Sequence, residues 1–422
     1  MTSIRLENQQ LLIEQLHAKQ IAGRFGTPCY VYSKSMIENR WLDYQQAFGN
    51  HPHLICYAVK ANSNIAILQL LAHLGSGFDI VSQGELERVL QAGGDPKKIV
   101  FSGVGKQASE IERALDVGIL CFNVESHQEL STIQSIAKEQ NKKANISIRV
   151  NPNINPRTHP YISTGLKENK FGIPLEEALE AYQFAQKQSH LSVKGIDCHI
   201  GSQLTEMEPF TEALTQVVKL VGILQKQGIQ IQHLDIGGGL GITYQKETPP
   251  EPGAYIACML ETLKSIYKEK PLKLLIEPGR SIVGNAGVLL TEVLYTKETP
   301  DKNFAIVDAG MNDLMRPALY QAWQNIVQVE PCSAPEKIWD IVGPVCESGD
   351  FLGKNRPLSL APHSLLAILS AGAYGFSMTS NYNTRNRPAE ILVDREIAYQ
   401  IRRRETFEDQ TRLESLLPGI QP

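Results

Sequence analysis

Eight short apolar runs recur along the first two-thirds of the chain, each followed by sequence of helical character. They are Leu54–Val59, Phe78–Val81, Ile99–Phe101, Leu120–Val124, Ile146–Val150, Gly195–His199, His233–Ile236 and Leu274–Ile276. The runs are continuous rather than alternating and rich in Val and Ile. Strands buried on both faces of a parallel sheet read that way. Between the sixth and seventh runs, Phe210, Leu214, Val217, Val218, Val221 and Leu224 fall on one helical stripe, and Gly228 supplies a stop. Strand and helix alternating eight times predicts a closed (β/α)8 TIM barrel, with a doubly wound open sheet as the competing architecture.

The residues that follow each run favour the barrel. Lys60 and Asn62 follow the first, Ser82 the second, Ser102-Gly103 the third and Glu125 the fourth. Arg149 and Asn151 come at the fifth, and His199-Ile200-Gly201-Ser202 at the sixth. Gly237-Gly238-Gly239 follows the seventh, and Glu277-Pro278-Gly279-Arg280 the eighth. Barrel enzymes carry their chemistry at the C-terminal strand ends and often bind phosphate near strands seven and eight. One connection, Asn151 to Phe171, is long, polar and broken by Pro152, Pro156 and Pro160, which marks a functional or disordered loop.

After about residue 285 the rhythm changes. Phe304–Val307, Ile338–Val342, Leu366–Leu369, Glu390–Val393 and Ala398–Ile401 read as strands joined by turns, with little helix. Pro28–Tyr32 is strand-like too and joins this β-rich domain, which is therefore discontinuous. The predicted division is a barrel over 36–285 and a β domain from 1–35 with 286–422. The first residues, Met1 to Glu7, run into a polar helical pattern.

Composition narrows the class. A chain of 422 residues predicts two domains. A net charge of -4, with no Lys/Arg cluster interleaved with aromatics, argues against a nucleic-acid partner. No apolar run has signal-peptide or membrane-spanning length, so a cytoplasmic protein without membrane contact is expected. The seven cysteines are widely spaced, and no pair has metal-ligand spacing. Reduced thiols and no metal are expected.

The candidate chemistry sits on these strand ends. Lys60 ends an apolar strand, and an amine in an apolar mouth is held neutral, as Schiff-base chemistry requires. A lone lysine there is also consistent with a snorkelling surface residue. Gly237, Gly238 and Gly239 permit close backbone approach and can form an anion nest, with Ser202 as a further donor. Glu277 and Arg280 stand three apart, as a carboxylate for a pyridine nitrogen or as a local ion pair. His199 is placed to stack on a flat ring, or to be a satisfied core histidine. Arg316 and Tyr320, four apart, can share a helix face and hold one carboxylate. Cys346-Glu347 and Tyr374 lie in Gly-rich segments between strands.

Taken together, these segments resemble diaminopimelate decarboxylase, of the alanine-racemase-like class of enzymes that use pyridoxal 5'-phosphate (PLP). The resemblance runs from about Thr27 to Ile401. It rests on Tyr-Ala-Val-Lys-Ala-Asn, His-Ile-Gly-Ser-Gln, Gly-Gly-Gly-Leu-Gly, Glu-Pro-Gly-Arg, Met-Asn-Asp-Leu-Met-Arg-Pro, Cys-Glu-Ser-Gly-Asp and Gly-Ala-Tyr-Gly, all in the family's order. It implies a barrel plus a β domain, and loss of CO2 from meso-2,6-diaminopimelate to give L-lysine. Lys60 would carry PLP and His199 would stack on its ring. Ser202, Gly237, Gly238, Gly239, Gly279, Arg280 and Tyr374 would hold the phosphate and ring, with Glu277 on the pyridine nitrogen. Arg280, Arg316, Tyr320, Glu347 and Tyr374 would bind substrate. Cys346, the proton-donor candidate, and Glu347 would come from the partner subunit of a homodimer. The rivals are decarboxylation of ornithine or arginine, whose substrates leave Arg316 without an anion, and racemisation, which pairs the ring nitrogen with arginine rather than Glu277. A non-catalytic PLP-binding homologue is a further rival, but Lys60 and Cys346 are both present.

Overall fold

A computed structural model describes residues 3–155, 164–166, 168–269 and 271–420. The chain divides into two compact units. One is Ile37–Val283; the other joins the N-terminal segment through Met36 with the chain from Gly284 onward.

The first unit is the barrel. Its strands are β1 (His53–Ala58), β2 (Gly77–Ile80), β3 (Ile99–Phe101), β4 (Cys121–Val124), β5 (Ala144–Asn151), β6 (Leu191–Asp197), β7 (His233–Asp235) and β8 (Lys273–Ile276). Every neighbour pair is parallel, and β8 pairs with β1, so the sheet closes. Helices fill the crossovers. Glu208–Lys226 buries Phe210, Leu214, Val217, Val218, Val221 and Leu224, the stripe read in the sequence.

Two sequence expectations for the barrel move. The sixth run, read as Gly195–His199, is a strand over Leu191–Asp197, because the half-buried Ser192, Val193 and Lys194 break the apolar signal at its start. Lys60 is not on a strand: β1 ends at Ala58, and Val59–Ala61 forms a 3-10 turn.

The second unit is β-rich. Its principal path runs Phe351–Ser359, Glu336–Val342, Asn303–Val307, Gly287–Glu298, Cys29–Ser33, Ala389–Asp394 and Ile397–Arg402. Cys29–Ser33 lies between Gly287–Glu298 and Ala389–Asp394. Its side chains alternate between a core of Cys29, Val31, Val288, Leu290, Ile391 and Val393 and the opposite face. The polar N-terminal pattern is not first a helix. It forms strands Ile4–Glu7, Gln10–Ile13 and Leu16–His17, and helix begins only at Ala18. Leu11 and Ile13 enter the core, so cross-strand burial overrides the local pattern.

Candidate active site

The barrel strands are not apolar throughout. Five of them place a polar side chain inward near the C-terminal end: Asp79 on β2, Asn123 on β4, Arg149 on β5, Asp197 on β6 and Asp235 on β7, all buried. Hydrogen bonds at this level also join strands that are not neighbours, and these cross the interior. Asn123 Nδ2 on β4 donates to Glu277 Oε1 beyond β8 at 3.2 Å, and Ser102 Oγ donates to the same oxygen at 3.3 Å. Ser147 Oγ on β5 meets His233 Nε2 on β7 at 3.0 Å. Isolated polar letters within apolar runs were the sequence signal for this layer, and reading the runs as continuous missed it.

Lys60 meets this layer directly. Asp79 is registered opposite Ala58, two residues before Lys60, and its Oδ2 accepts from the Lys60 ammonium. This corrects the expectation of an apolar mouth: Asp79 is fully buried and favours a cation at Nζ. Glu277 is 6% exposed, and burial, then Asp235, Asp79 and Asp197, raise its pKa well above the usual carboxylate value, while Lys60 opposes them.

The other sequence-predicted groups of the barrel gather at the ends of β6, β7 and β8. His199 is half-buried, and its Nδ1 accepts Gly238 N–H at 3.2 Å. Burial, then the cations Arg149 and Lys60, push its pKa well down, so the ring is neutral. Gly237 and Gly239 have φ of 67° and 102°, which side chains rarely adopt. A Cβ on Gly238 would lie 2.2 Å from Glu277 O, so the turn packs directly on the segment after β8. Arg280 Nη2 donates to Ser202 Oγ at 2.9 Å, and its Nη1 to Tyr244 OH at 2.7 Å. Gly279 sits over β1, where a Cβ would be 2.9 Å from that of Ala61.

Arg149 was placed at a strand end but given no role. Its Nη1 donates to Glu125 Oε1 at 2.8 Å and its Nη2 to His199 O at 3.3 Å, and its guanidinium lies 4.8 Å from the centre of the Phe171 ring. The long loop is tied here at both ends. Thr164 donates to Ile200 O and His199 O, and Asn151 Nδ2 to Leu166 O and Phe171 O. Residues 156–163 and Lys167 of the loop lie outside the described residues.

The β-rich unit holds the remaining candidates. Arg316–Tyr320 is a single helical turn. Arg316 is buried and donates to Gln324 Oε1 at 2.8 Å, whereas Tyr320 is half-buried. Cys346 and Glu347 are exposed in the turn before Phe351–Ser359. Cys346 N–H donates to Asn383 Oδ1 at 2.9 Å, and Tyr382 OH donates to Glu347. Tyr374 has φ of 54°, an uncommon conformation for an aromatic residue and one that concentrates at functional positions.

Tested against PLP, the barrel residues fit. An amine stands beside a buried acid, a glycine turn lies next to Ser202 and Arg280 for an anion, and a buried carboxyl at Glu277 is held by neutral donors. All three converge on one end of one barrel.

The chain matches the family described as "Pyridoxal-dependent decarboxylase, pyridoxal binding domain" over residues 34–284. It is 56% identical over 418 residues to a diaminopimelate decarboxylase from Pseudomonas aeruginosa, covering 99% of this chain and 100% of that one. Among solved structures, diaminopimelate decarboxylase from Helicobacter pylori complexed with L-lysine superposes with a TM-score of 0.90 at 47% identity, covering 94% of this chain and 98% of that one. The enzyme from M. jannaschii in co-complex with L-lysine gives 0.95 at 39% identity, covering 99% of each chain.

Proposed function

The chain belongs to the diaminopimelate decarboxylase family of pyridoxal-dependent enzymes, and from that premise we propose the residue roles by which it converts meso-2,6-diaminopimelate to L-lysine and CO2. The observation that carries this reading is the convergence at one barrel mouth of Lys60 after β1, the Gly237–Gly239 turn after β7 and Glu277 after β8.

When bound, PLP supplies an electron sink for the pair left as the carboxylate departs. Lys60 is the amine that would hold it, with Asp79 fixing the position and charge of Nζ. Glu277 would accept from the ring nitrogen, keeping the ring cationic. His199, neutral and oriented by Gly238 N–H, would cover the ring face. Gly237, Gly238, Gly239, Gly279, Ser202, Arg280 and Tyr374 would hold the phosphate.

Arg280, Arg316 and Tyr320 would grip the distal carboxylate, and Glu347 the distal amine. Fixing the far end of the substrate sets the angle of the bond that breaks, which is where remote binding energy serves catalysis. Cys346 would return a proton to the carbon that lost CO2. The sequence separation of Cys346 and Glu347 from the barrel motifs supports their contribution by the partner subunit of a homodimer. No helix among the described residues is long and apolar enough to cross a membrane. Seven free cysteines suit the reducing cytoplasm, the compartment we assign.

The deciding assay is CO2 release from meso-diaminopimelate beside ornithine and arginine. Turnover of the first alone is expected, because neither rival offers Arg316 a distal carboxylate. Equal turnover of ornithine would overturn the substrate assignment.

A further inference from the structure

The barrel interior around Glu277 holds more acid than its cations can balance. Asp79, Glu125, Asp197, Asp235 and Glu277 are each at most 6% exposed. Among the described residues, two cations, Lys60 and Arg149, face them. Lys60 is paired with Asp79. Arg149 is paired with Glu125 at 2.8 Å and keeps only a 3.8 Å approach to Asp197. That leaves Asp197, Asp235 and Glu277, which bring one oxygen each to within 4.8 Å of one another. Asp235 Oδ1 accepts Gly237 N–H at 2.9 Å. Its Oδ2, like Asp197 Oδ1, is buried without a hydrogen-bond partner among the described residues. Ionised carboxylates left that way are among the costliest groups to bury, and adjacent ones cannot all ionise.

We infer that Asp197, Asp235 and Glu277 share protons as one unit, in which Asp235 and Glu277 are joined by a carboxyl–carboxyl hydrogen bond. Asp235 is then a positioning residue. It fixes the Glu277 carboxyl from the barrel interior while Ser102 and Asn123 fix it from the β3 and β4 side. The inference rests on the reading that Glu277 meets the ring nitrogen.

The surroundings agree. Burial raises the pKa of all three carboxyls, that of Asp235 to about 7. Asp79 adds repulsion to all three and Glu125 to Asp197, whereas Arg149 lowers Asp197 and Lys60 lowers Glu277. The neighbouring thiols of Cys56 and Cys121 are pushed well up by burial, and His233 is pushed down to about 3, so all three are neutral.

Asp235→Asn keeps the shape, the acceptor for Gly237 N–H and a donor toward Glu277, but cannot titrate. An acid whose folded pKa is raised binds its proton more tightly in the folded state. Its stabilisation is therefore complete below the unfolded value of about 3.9 and is lost as pH rises through about 7. For Asp235 alone the folding equilibrium constant falls roughly 50-fold between pH 5 and pH 7. The test is urea unfolding of the full chain, with and without PLP, from pH 5 to pH 8. The Asp235→Asn profile should fall about 50-fold less than wild type over pH 5 to 7. Asp197→Asn serves as a second variant and should flatten the profile in the same direction. Profiles parallel to wild type, or a wild-type profile flat over this range, overturn the inference. So does stabilisation by Mg2+ or Ca2+ that a chelator removes, since that assigns the carboxylates to a cation. PLP uptake by the wild type, followed by visible absorbance, is read separately. Its failure sinks the proposed function, while the unfolding profiles still decide proton sharing.

Discussion

Arg280 donates to Ser202 Oγ at 2.9 Å, linking the segment after β8 to the segment after β6. The same guanidinium reaches Tyr244 OH, so its fork is held on two sides before any ligand arrives. A pre-ordered guanidinium binds an anion with less loss of side-chain entropy than a free one. Arg280→Lys keeps the charge but loses the fork. We expect PLP affinity, measured by fluorescence titration, to fall about tenfold to a hundredfold, the range of one to two charge-assisted hydrogen bonds. Unchanged affinity would remove Arg280 from the phosphate site.

Lys60 and Asp79 act as a pair in the proposed site. Lys60→Ala should abolish the absorbance of covalently held PLP and all CO2 release. Asp79→Asn keeps the size and a hydrogen-bonding group but removes the buried counter-charge, so activity should fall roughly tenfold to a hundredfold with the absorbance shifted. An Asp79→Asn variant with wild-type spectrum and rate would show that the ion pair is structural only.

The barrel was legible in the sequence because parallel strands buried on both faces write continuous apolar runs, and eight of them closed as expected. The strand-end motifs around Gly237 and Glu277 were legible for a related reason: glycine runs and lone charges interrupt that pattern. Asp79, Asn123, Asp197 and Asp235 were not singled out, because one polar letter inside an apolar strand does not say whether it faces helix or barrel axis. Tyr244 and Gln324 were invisible because their partners, Arg280 and Arg316, are brought to them by the fold. The strand Gly287–Glu298 escaped because its second half is exposed and its composition changes midway.

Cys346 is the exposed cysteine, whereas Cys29, Cys56, Cys121 and Cys198 are buried. Burial pushes the Cys29 thiol up to about 12, so it carries almost no thiolate at neutral pH. A thiol reagent should therefore modify Cys346 first, and Cys346→Ala should remove the fast phase. L-lysine should slow that phase if Cys346 lies at the substrate site. A fast phase that survives in Cys346→Ala assigns it to another thiol.

The proposed sharing of the site between subunits gives a complementation prediction. Lys60→Ala and Cys346→Ala chains should each be inactive, but a mixed dimer would rebuild one complete site. Random exchange makes half the dimers mixed, so about a quarter of wild-type activity is expected. No recovery, with exchange shown by differently tagged chains, would place both residues of each site on one chain.

Asp350 sets the loop that carries Cys346. Its carboxylate accepts Met311 N–H at 2.6 Å and Val345 N–H at 2.7 Å, joining the turn before Arg316 to the turn bearing Cys346 and Glu347. The carboxylate fits between two glycines: a Cβ on Gly343 would lie 2.4 Å from Asp350 Oδ2, and one on Gly310 3.1 Å from it. Asp350→Ala leaves both N–H groups without this acceptor, and each such loss costs about 1 to 3 kcal/mol. We expect destabilisation of roughly 2 to 6 kcal/mol, measured by urea unfolding. Asp350→Asn retains one acceptor oxygen and should recover part of that loss. Catalytically, kcat should fall further than KM rises, because a displaced Cys346 affects proton return more than binding. If Asp350→Ala loses stability while kcat and KM stay at wild-type values, the clasp supports the fold alone and Cys346 is positioned by Asn383.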